Sequence, residues 1–124
     1  MIIIDSSFWI EFFLGSKYGE IVRKLFIEEK NVIVPTIIIT EVYKKFLGDS
    51  TQELAQTILD FLLDLKTIDL NVELSIQAAK TGKINKLSLA DSIIYATTIN
   101  SNSTLYTMDK HFKELPNVIY YEKV

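Results

Sequence analysis

Five short apolar runs along the chain have the length and the β-branched composition of strands. The first two, Met1–Ile4 and Val32–Val34, are apolar without alternation, which is typical of strands covered on both faces. Weaker runs follow at Thr67–Leu70, Thr104–Tyr106 and Val118–Tyr120. Helical patterns separate most of these runs, so residues 1–124 are predicted to form one α/β domain with a parallel sheet between helices.

Six stretches between the strands have the apolar spacing or the capping residues of helices. They are Phe8–Leu14 before Gly15, Tyr18–Glu29, Ile37–Leu47 before Gly48, Thr51–Leu65 behind a capping box at 50–53, Asn71–Lys80 with Gly82 as its end, and Leu89–Ile99. In the fourth helix, Leu54, Ile58, Phe61, Leu62 and Leu65 are predicted to face the core.

The last of these helices, Leu89–Ile99, is apolar on nearly every side, which is typical of a buried helix. Its first turn nevertheless contains Asp91, and a carboxylate that faces the interior is costly unless a partner compensates its charge. One interpretation is structural: Ser88 and Asp91 have the spacing of a capping box, in which Asp91 bonds the Ser88 amide. The other interpretation is that Asp91 belongs to a functional cluster of acids. The helix alone leaves both open.

Three further acids are predicted to lie at the same edge of the sheet as Asp91. Asp5 ends the first strand, Asp109 follows the fourth, and Glu41 lies on the helix after the second. Ligands of parallel α/β sheets bind beyond the carboxyl ends of the strands. Clustered carboxylates repel one another unless they bind protons or a cation. The chain has no cysteine and one histidine, so its available ligands are oxygens, which suit Mg²⁺ or Mn²⁺.

Other carboxylate and phosphate chemistries fit the sequence less well. A haloacid-dehalogenase-like phosphatase would carry Asp-x-Asp after the first strand, where Asp5 is followed by two serines. A response-regulator receiver would need an additional acidic pair, and none precedes the third strand. No glycine-rich loop follows Ile4, which argues against a nucleotide-binding Rossmann unit.

The composition predicts a protein with apolar surface to bury against a partner. Apolar residues make up 48% of the chain and the mean hydropathy is +0.21, which is high for one small domain. The aromatic helix Phe8–Leu14 is a candidate interface, with simple burial as the alternative. No signal peptide or membrane span is expected, which predicts a cytoplasmic protein. The net charge of −3 argues against nucleic-acid binding, unless a bound cation reverses the local sign.

Four stretches, taken in order, resemble the motifs of the PIN-domain ribonucleases, in particular the VapC-type toxins of toxin–antitoxin pairs. They are Ile2–Ser7, Thr40–Val42, Leu89–Thr97 and Leu105–Phe112. The resemblance implies a three-layer α/β/α fold with a five-stranded parallel sheet in the order 3-2-1-4-5. It also implies that Asp5, Glu41, Asp91 and Asp109 are catalytic acids that bind Mg²⁺ or Mn²⁺, with Ser6 and Thr107 as supporting hydroxyls.

The function implied by the resemblance is metal-dependent endoribonuclease activity on RNA. The implied partners are a second copy of the chain in a homodimer and a small antitoxin, whose basic side chain would enter the acidic pocket. The alternative is a non-catalytic PIN-like module that binds RNA or protein. The chain departs from the motifs at Ser92, where a small apolar residue is common, and at Lys110 after the last acid.

The remaining candidates are basic residues. The single histidine, His111, is predicted to have a partly exposed structural role rather than to act as a base. Five lysines are candidate contacts to the RNA backbone, although lysines mostly lie on solvated faces: Lys44, Lys45, Lys83, Lys86 and Lys110.

Overall fold

The structure, a computed structural model, describes residues 1–28 and 31–124. Its strands are β1 (Ile2–Ile4), β2 (Val32–Pro35), β3 (Lys66–Ile68), β4 (Thr104–Thr107) and β5 (Val118–Tyr120). All neighbouring strands are parallel, in the order β3-β2-β1-β4-β5, which confirms the predicted fold class and topology. Successive strands are added on one side of β1 and then on the other, so β1 and β4 flank the switch point where ligands bind in such folds.

Helices flank this sheet and connect its strands. They are α1 (Ser6–Leu14), α2 (Gly19–Glu28), α3 (Thr36–Asp49), α4 (Gln52–Leu63), α5 (Val72–Asn85) and α6 (Leu89–Asn100). A short 3-10 helix, Lys110–Phe112, lies between β4 and β5. Each predicted helix is present, and Glu29, the predicted end of the second, lies outside the described residues. No helix in the described part of the chain is both long and apolar enough to cross a membrane.

The sequence predicts that Gly82 ends a helix, but Gly82 lies inside α5, where α5 packs against α6. The end of α5 is Asn85, and Lys86 follows it in the left-handed conformation with φ 55°. A β-carbon at Gly82 would lie 2.8 Å from the Cβ of Ser92 and would overlap its hydroxyl, so a side chain does not fit. The Ser92 hydroxyl donates to the carbonyl of Ser88 at 2.6 Å. Ser92 is therefore a packing residue of the α5–α6 contact.

The central helix α6 is buried, as predicted, over every residue from Asp91 to Thr98. Its two ends differ from the prediction, because Leu89 is 82% exposed and Ile99 is 46% exposed. Tyr95 is buried and its hydroxyl donates to the carbonyl of Pro116 at 2.9 Å. The Tyr95–Pro116 bond ties α6 to the loop before β5.

The buried face of α4 is rotated relative to the prediction. Ala55, Ile58 and Leu62 are buried, whereas Leu54 and Phe61, which were predicted to face the core, are 44% and 38% exposed. The spacing of 55, 58 and 62 is itself helical, so both sets fit the sequence pattern equally well. Ala55 is fully buried, and two large apolar residues remain at the surface.

The aromatic helix α1 is partly core and partly surface. Trp9 is fully buried and stacks on Phe13, with ring centroids 5.8 Å apart. Phe12 is half-buried, and its ring centroid lies 5.7 Å from that of Phe61. An open apolar groove of about 620 Å³ adjoins these rings, lined by Phe12, Arg23, Phe26, Ile27, Phe61, Asp64 and Leu65. Burial therefore explains one side of α1, and the other side borders a surface groove.

Candidate metal centre

Asp5 lies at the carboxyl end of β1 and is the N-cap of α1. Its Oδ1 accepts a hydrogen bond from the backbone amide of Ser6 at 2.9 Å. Its Oδ2 accepts from the hydroxyls of Thr107 at 2.6 Å and Ser7 at 3.2 Å. Only 3% of Asp5 is exposed. Because β1 and β4 are adjacent, the fold itself brings Asp5 beside Thr107 across the switch point.

Two hydroxyls connect Asp5 to the segment that carries Asp109. Thr107 Oγ1 accepts from the backbone amide of Asp109 at 2.9 Å while it donates to Asp5. Ser7 Oγ accepts from the backbone amide of Met108 at 3.2 Å while it donates to Asp5. Each hydroxyl thus uses both its donor and its acceptor capacity, which fixes the position of the strand ends relative to each other.

Asp91 and Asp109 converge with His111 on one point at this edge. The Nδ1 atom of His111 lies 3.1 Å from Asp109 Oδ1 and 3.4 Å from Asp91 Oδ2. One ligand atom from each of these three residues lies within 4.8 Å of the other two, the only such grouping in the described ranges. Asp91 is buried and Asp109 is half-buried, whereas the side chain of His111 is 73% exposed. The cluster therefore opens toward solvent at the histidine.

The structural interpretation of Asp91 is only partly supported. Ser88 is the N-cap of α6, but its side chain makes no capping hydrogen bond to a helix amide. The acid in the first turn is therefore not one half of a closed capping box. A carboxylate at the N-terminus of α6 still gains from the helix dipole.

Glu41 lies on α3 and completes the group of four acids. Its Oε1 atom is buried and has no hydrogen-bond partner among the described residues. The charges of Asp5, Asp91 and Asp109 all act on Glu41, which shows that the four predicted acids share one electrostatic site. A buried carboxylate oxygen without a donor is costly, so this atom fits a position that faces a cation.

Burial is the main cause of the raised pKa values in this site. Burial raises the pKa of Asp5 to about 6, against the hydrogen bonds from Thr107, Ser6 and Ser7, which lower it. Burial and then the charge of Asp5 raise the pKa of Glu41 to about 6, against a hydrogen bond from the Ser6 side chain, which lowers it. Burial and then the charge of Asp109 raise the pKa of Asp91. The site therefore disfavours its own negative charge, and a bound cation would relieve this.

The five lysines that are predicted to contact the RNA backbone lie on three exposed segments. Lys44 and Lys45 follow Glu41 on α3, Lys83 and Lys86 lie at the end of α5, and Lys110 follows Asp109. All five are exposed, and Lys45 forms an ion pair with Asp49 at 2.5 Å.

Sequence reasoning missed the role of Ser7 and did not predict that His111 lies beside two of the acids. Both lie two residues after an acid of the site, Ser7 after Asp5 and His111 after Asp109. Each of these acids is an N-cap, of α1 and of the 3-10 helix, and the backbone turns back toward the acid there. A polar residue two positions after a strand-end acid was the signal available in the sequence.

The PIN domain family model matches residues 2–118. The chain belongs to the PIN-domain family. Its four-acid edge lies at the switch point of the PIN fold, between β1 and β4. No curated protein matches the sequence with significance.

Solved structures share the whole fold of this PIN domain at low sequence identity. A toxin–antitoxin complex from Klebsiella pneumoniae matches with a TM-score of 0.86 and 22% identity, covering 99% of this chain and 100% of that chain. VapBC2 from Rickettsia felis, bound to a DNA fragment from its promoter, matches with a TM-score of 0.77 and 21% identity over 98% of both chains. The sarcin–ricin-loop-cleaving toxin VapC20 from Mycobacterium tuberculosis matches with a TM-score of 0.75 and 16% identity, over 90% of this chain and 92% of that one.

Proposed function

We propose that this PIN domain is a metal-dependent endoribonuclease and the toxin of a VapBC-type pair. The observation that carries the proposal is the buried Oε1 atom of Glu41, which has no hydrogen-bond partner among the described residues. Burial and the charges of three other carboxylates in the site raise the pKa of Glu41. A set of carboxylates with raised pKa values at a sheet's switch point is the arrangement expected of a cation site. The similarity to VapC-type toxins adds the substrate class and the biological role.

The donor set fits a divalent cation of the Mg²⁺ or Mn²⁺ type. Asp5, Glu41, Asp91 and Asp109 supply carboxylate oxygens, which are the ligands these ions prefer. A cation bound there would supply Lewis-acid activation of a phosphodiester and of water. It would also offset the acidic character of the site and so permit the approach of a polyanion.

The chain's own residues orient the acids before any ligand binds. Asp5 accepts hydrogen bonds from the Ser6 amide and from the hydroxyls of Ser7 and Thr107, so it cannot rotate without breaking three hydrogen bonds. Each of the two hydroxyls also accepts a hydrogen bond from a backbone amide. Asp109 is held by the Thr107 hydroxyl through its amide and by the His111 amide through its Oδ1. Such preorganisation is what an electrostatic site requires for catalysis.

Cleavage of single-stranded RNA by the purified protein tests the proposal. We expect cleavage with Mg²⁺ or Mn²⁺, none with EDTA, and none by Asp91→Asn. The matched control is Asp69→Asn, which changes an exposed acid after β3 and should retain full activity. RNA binding without cleavage under all metal conditions would contradict the proposal and favour the non-catalytic module instead.

The five exposed lysines are proposed as contacts to RNA phosphates. Their charge would add a salt-dependent, sequence-independent contribution to binding. Replacing Lys44, Lys83 or Lys110 by Ala should weaken RNA binding and reduce its dependence on salt, without changing cation affinity. Binding that is unchanged at every salt concentration would remove that lysine from the interface.

A homodimer and a cognate antitoxin are the proposed protein partners. The apolar groove beside α1 and exposed residues such as Leu14 and Ile27, 62% and 74% exposed, leave surface to bury. One structural relative is a toxin–antitoxin complex. An antitoxin Arg side chain that enters the acidic site would compete with the cation. Sedimentation at tens of micromolar, roughly the range for a moderate interface, tests the dimer, and a clean monomer would contradict it.

A further inference from the structure

His111 is the single histidine of the chain, and its ring lies beside two acids of the proposed metal site. Its Nδ1 atom is 3.1 Å from Asp109 and 3.4 Å from Asp91. The three ligand atoms are mutually within 4.8 Å, a spacing at which one ion can contact all of them.

The backbone of His111 is held in place on both sides. Its amide donates to Asp109 Oδ1 at 2.9 Å, which caps the 3-10 helix. The next residue, Phe112, is fully buried and lies near Tyr95, with ring centroids 6.5 Å apart. The ring of His111 is exposed, and its backbone position keeps it within reach of a cation bound by the two acids.

An imidazole nitrogen changes which cation a carboxylate site prefers. Mg²⁺ keeps its water shell and takes oxygen ligands almost exclusively, whereas first-row transition ions also accept nitrogen. We propose that His111 Nδ1 is a ligand of the ion held by Asp91 and Asp109, which is the cation of the proposed function and on which this inference rests. The nitrogen ligand makes the site prefer Mn²⁺ over Mg²⁺.

Pulsed EPR of bound Mn²⁺ tests this ligand directly. Because the chain has one histidine, a directly coordinated imidazole nitrogen detected in a protein without an affinity tag can come only from His111. We expect the nitrogen modulation in the wild type and in the control Lys110→Gln, and its loss in His111→Gln. In calorimetry, His111→Gln should weaken Mn²⁺ binding by about tenfold, by analogy with the loss of other metal-site partners, and Mg²⁺ binding much less.

The outcomes distinguish a failure of the His111 ligand from a failure of the metal site itself. If Mn²⁺ binds without nitrogen coordination, or if His111→Gln weakens Mg²⁺ and Mn²⁺ equally, His111 is an ion-pair partner of the acids and the inference is overturned. RNA cleavage measured on the same preparation would then still support the proposed nuclease. If the wild type binds neither ion, the metal site and the inference fall together. Melting temperatures of both variants exclude unfolding as the cause of a lost signal.

Discussion

Replacing Asp5 by Asn tests whether the acid site costs the folded protein stability when no cation is bound. The pKa of Asp5 is raised from 3.8 to about 6, mainly by burial. A shift of this size corresponds to a cost of about 3 kcal/mol for the charged form. Asn removes that cost and retains an oxygen for the Ser6 amide, which Asp5 Oδ1 accepts at 2.9 Å. Removing the charge also relieves Glu41, whose pKa Asp5 raises.

Asp5→Asn also loses hydrogen bonds at the second carboxylate oxygen, Oδ2. Asp5 Oδ2 accepts from the hydroxyls of Thr107 and Ser7, and the amide nitrogen of Asn cannot accept from either. A donor left without a partner in the interior costs about 1–3 kcal/mol. Two donors lose their acceptor, at a combined cost of about 2 kcal/mol at the low end of this range, since the Ser7 bond is long at 3.2 Å and only part-buried. Against the relief of about 3 kcal/mol, this leaves a net stabilisation of about 1 kcal/mol above pH 7, which for a domain of this size raises the melting temperature by about 3–5 °C.

The pH dependence of stability gives the sharper test. The cost of burying the charge of Asp5 depends on pH, whereas the cost of the lost hydrogen bonds does not. Folded Asp5 binds its proton below about pH 6, and an unfolded Asp does so only below about pH 4. The wild type therefore loses stability as the pH rises from about 4 to about 6, and the variant lacks the part of this loss that Asp5 causes. In EDTA, Asp5→Asn should be more stable than the wild type at pH 8 and less stable at pH 4.

Thermal unfolding in EDTA at several pH values measures this difference. Asp69→Asn, at an exposed acid, is the matched control and should change little at either pH. A variant that is less stable by the same amount at pH 4 and pH 8 would refute the reasoning, since the hydrogen bonds would then outweigh the cost of burial. Added Mn²⁺ should stabilise the wild type by mass action and stabilise Asp5→Asn much less. The variant should not cleave RNA.

Three further predictions concern the central helix, its packing and the cation. Asp91→Asn should abolish RNA cleavage while the melting temperature stays nearly unchanged, because no capping box closes at this position and the relief of a buried charge offsets the lost helix-dipole interaction. A loss of stability with activity intact would reverse the assignment. Gly82→Ala should lower the free energy of unfolding by about 1–3 kcal/mol, the usual cost of overpacking, because its Cβ would lie 2.8 Å from that of Ser92. Adding Ser92→Gly should restore part of that stability, and purely additive losses would exclude the clash. Cation binding at pH 6 should release about one proton from Asp5 and Glu41 together, and almost none at pH 8, as calorimetry in buffers of different ionisation enthalpy can measure.

The parallel sheet and the edge that holds the acids could be predicted because they depend on long patterns, whereas the strand order followed only from the resemblance to the PIN-domain family. Two strands without alternation, Ile2–Ile4 and Val32–Pro35, are buried on both faces, and that property is visible in the sequence. The positions of the acids after these strands then follow from parallel topology alone. The burial of α6 was predictable for the same reason, since nearly every side of its middle is apolar.

The errors arise where the sequence pattern fits two arrangements equally well. Gly82 has the position of a helix end and the size of a contact residue, and only the proximity of Ser92 decides between them. On α4, stripes through Leu54 or through Ala55 both have helical spacing, and packing against the rest of the core selects Ala55. Such choices depend on tertiary contacts between residues far apart in sequence, which local patterns do not contain.

The site illustrates how the fold keeps acids together despite their repulsion. The hydroxyls of Thr107 and Ser7 each donate a hydrogen bond to Asp5 and accept one from a backbone amide. These bonds offset part of the cost of burying the carboxylate, and they also hold β1 and β4 in register. The remaining cost persists as the raised pKa values of Asp5, Glu41 and Asp91. That cost is a property of the folded chain, and any cation that binds there recovers it as binding free energy. Hydroxyl donors that orient the acids without neutralising them therefore favour both a precise site and strong cation binding, whereas a lysine in their place would favour stability alone.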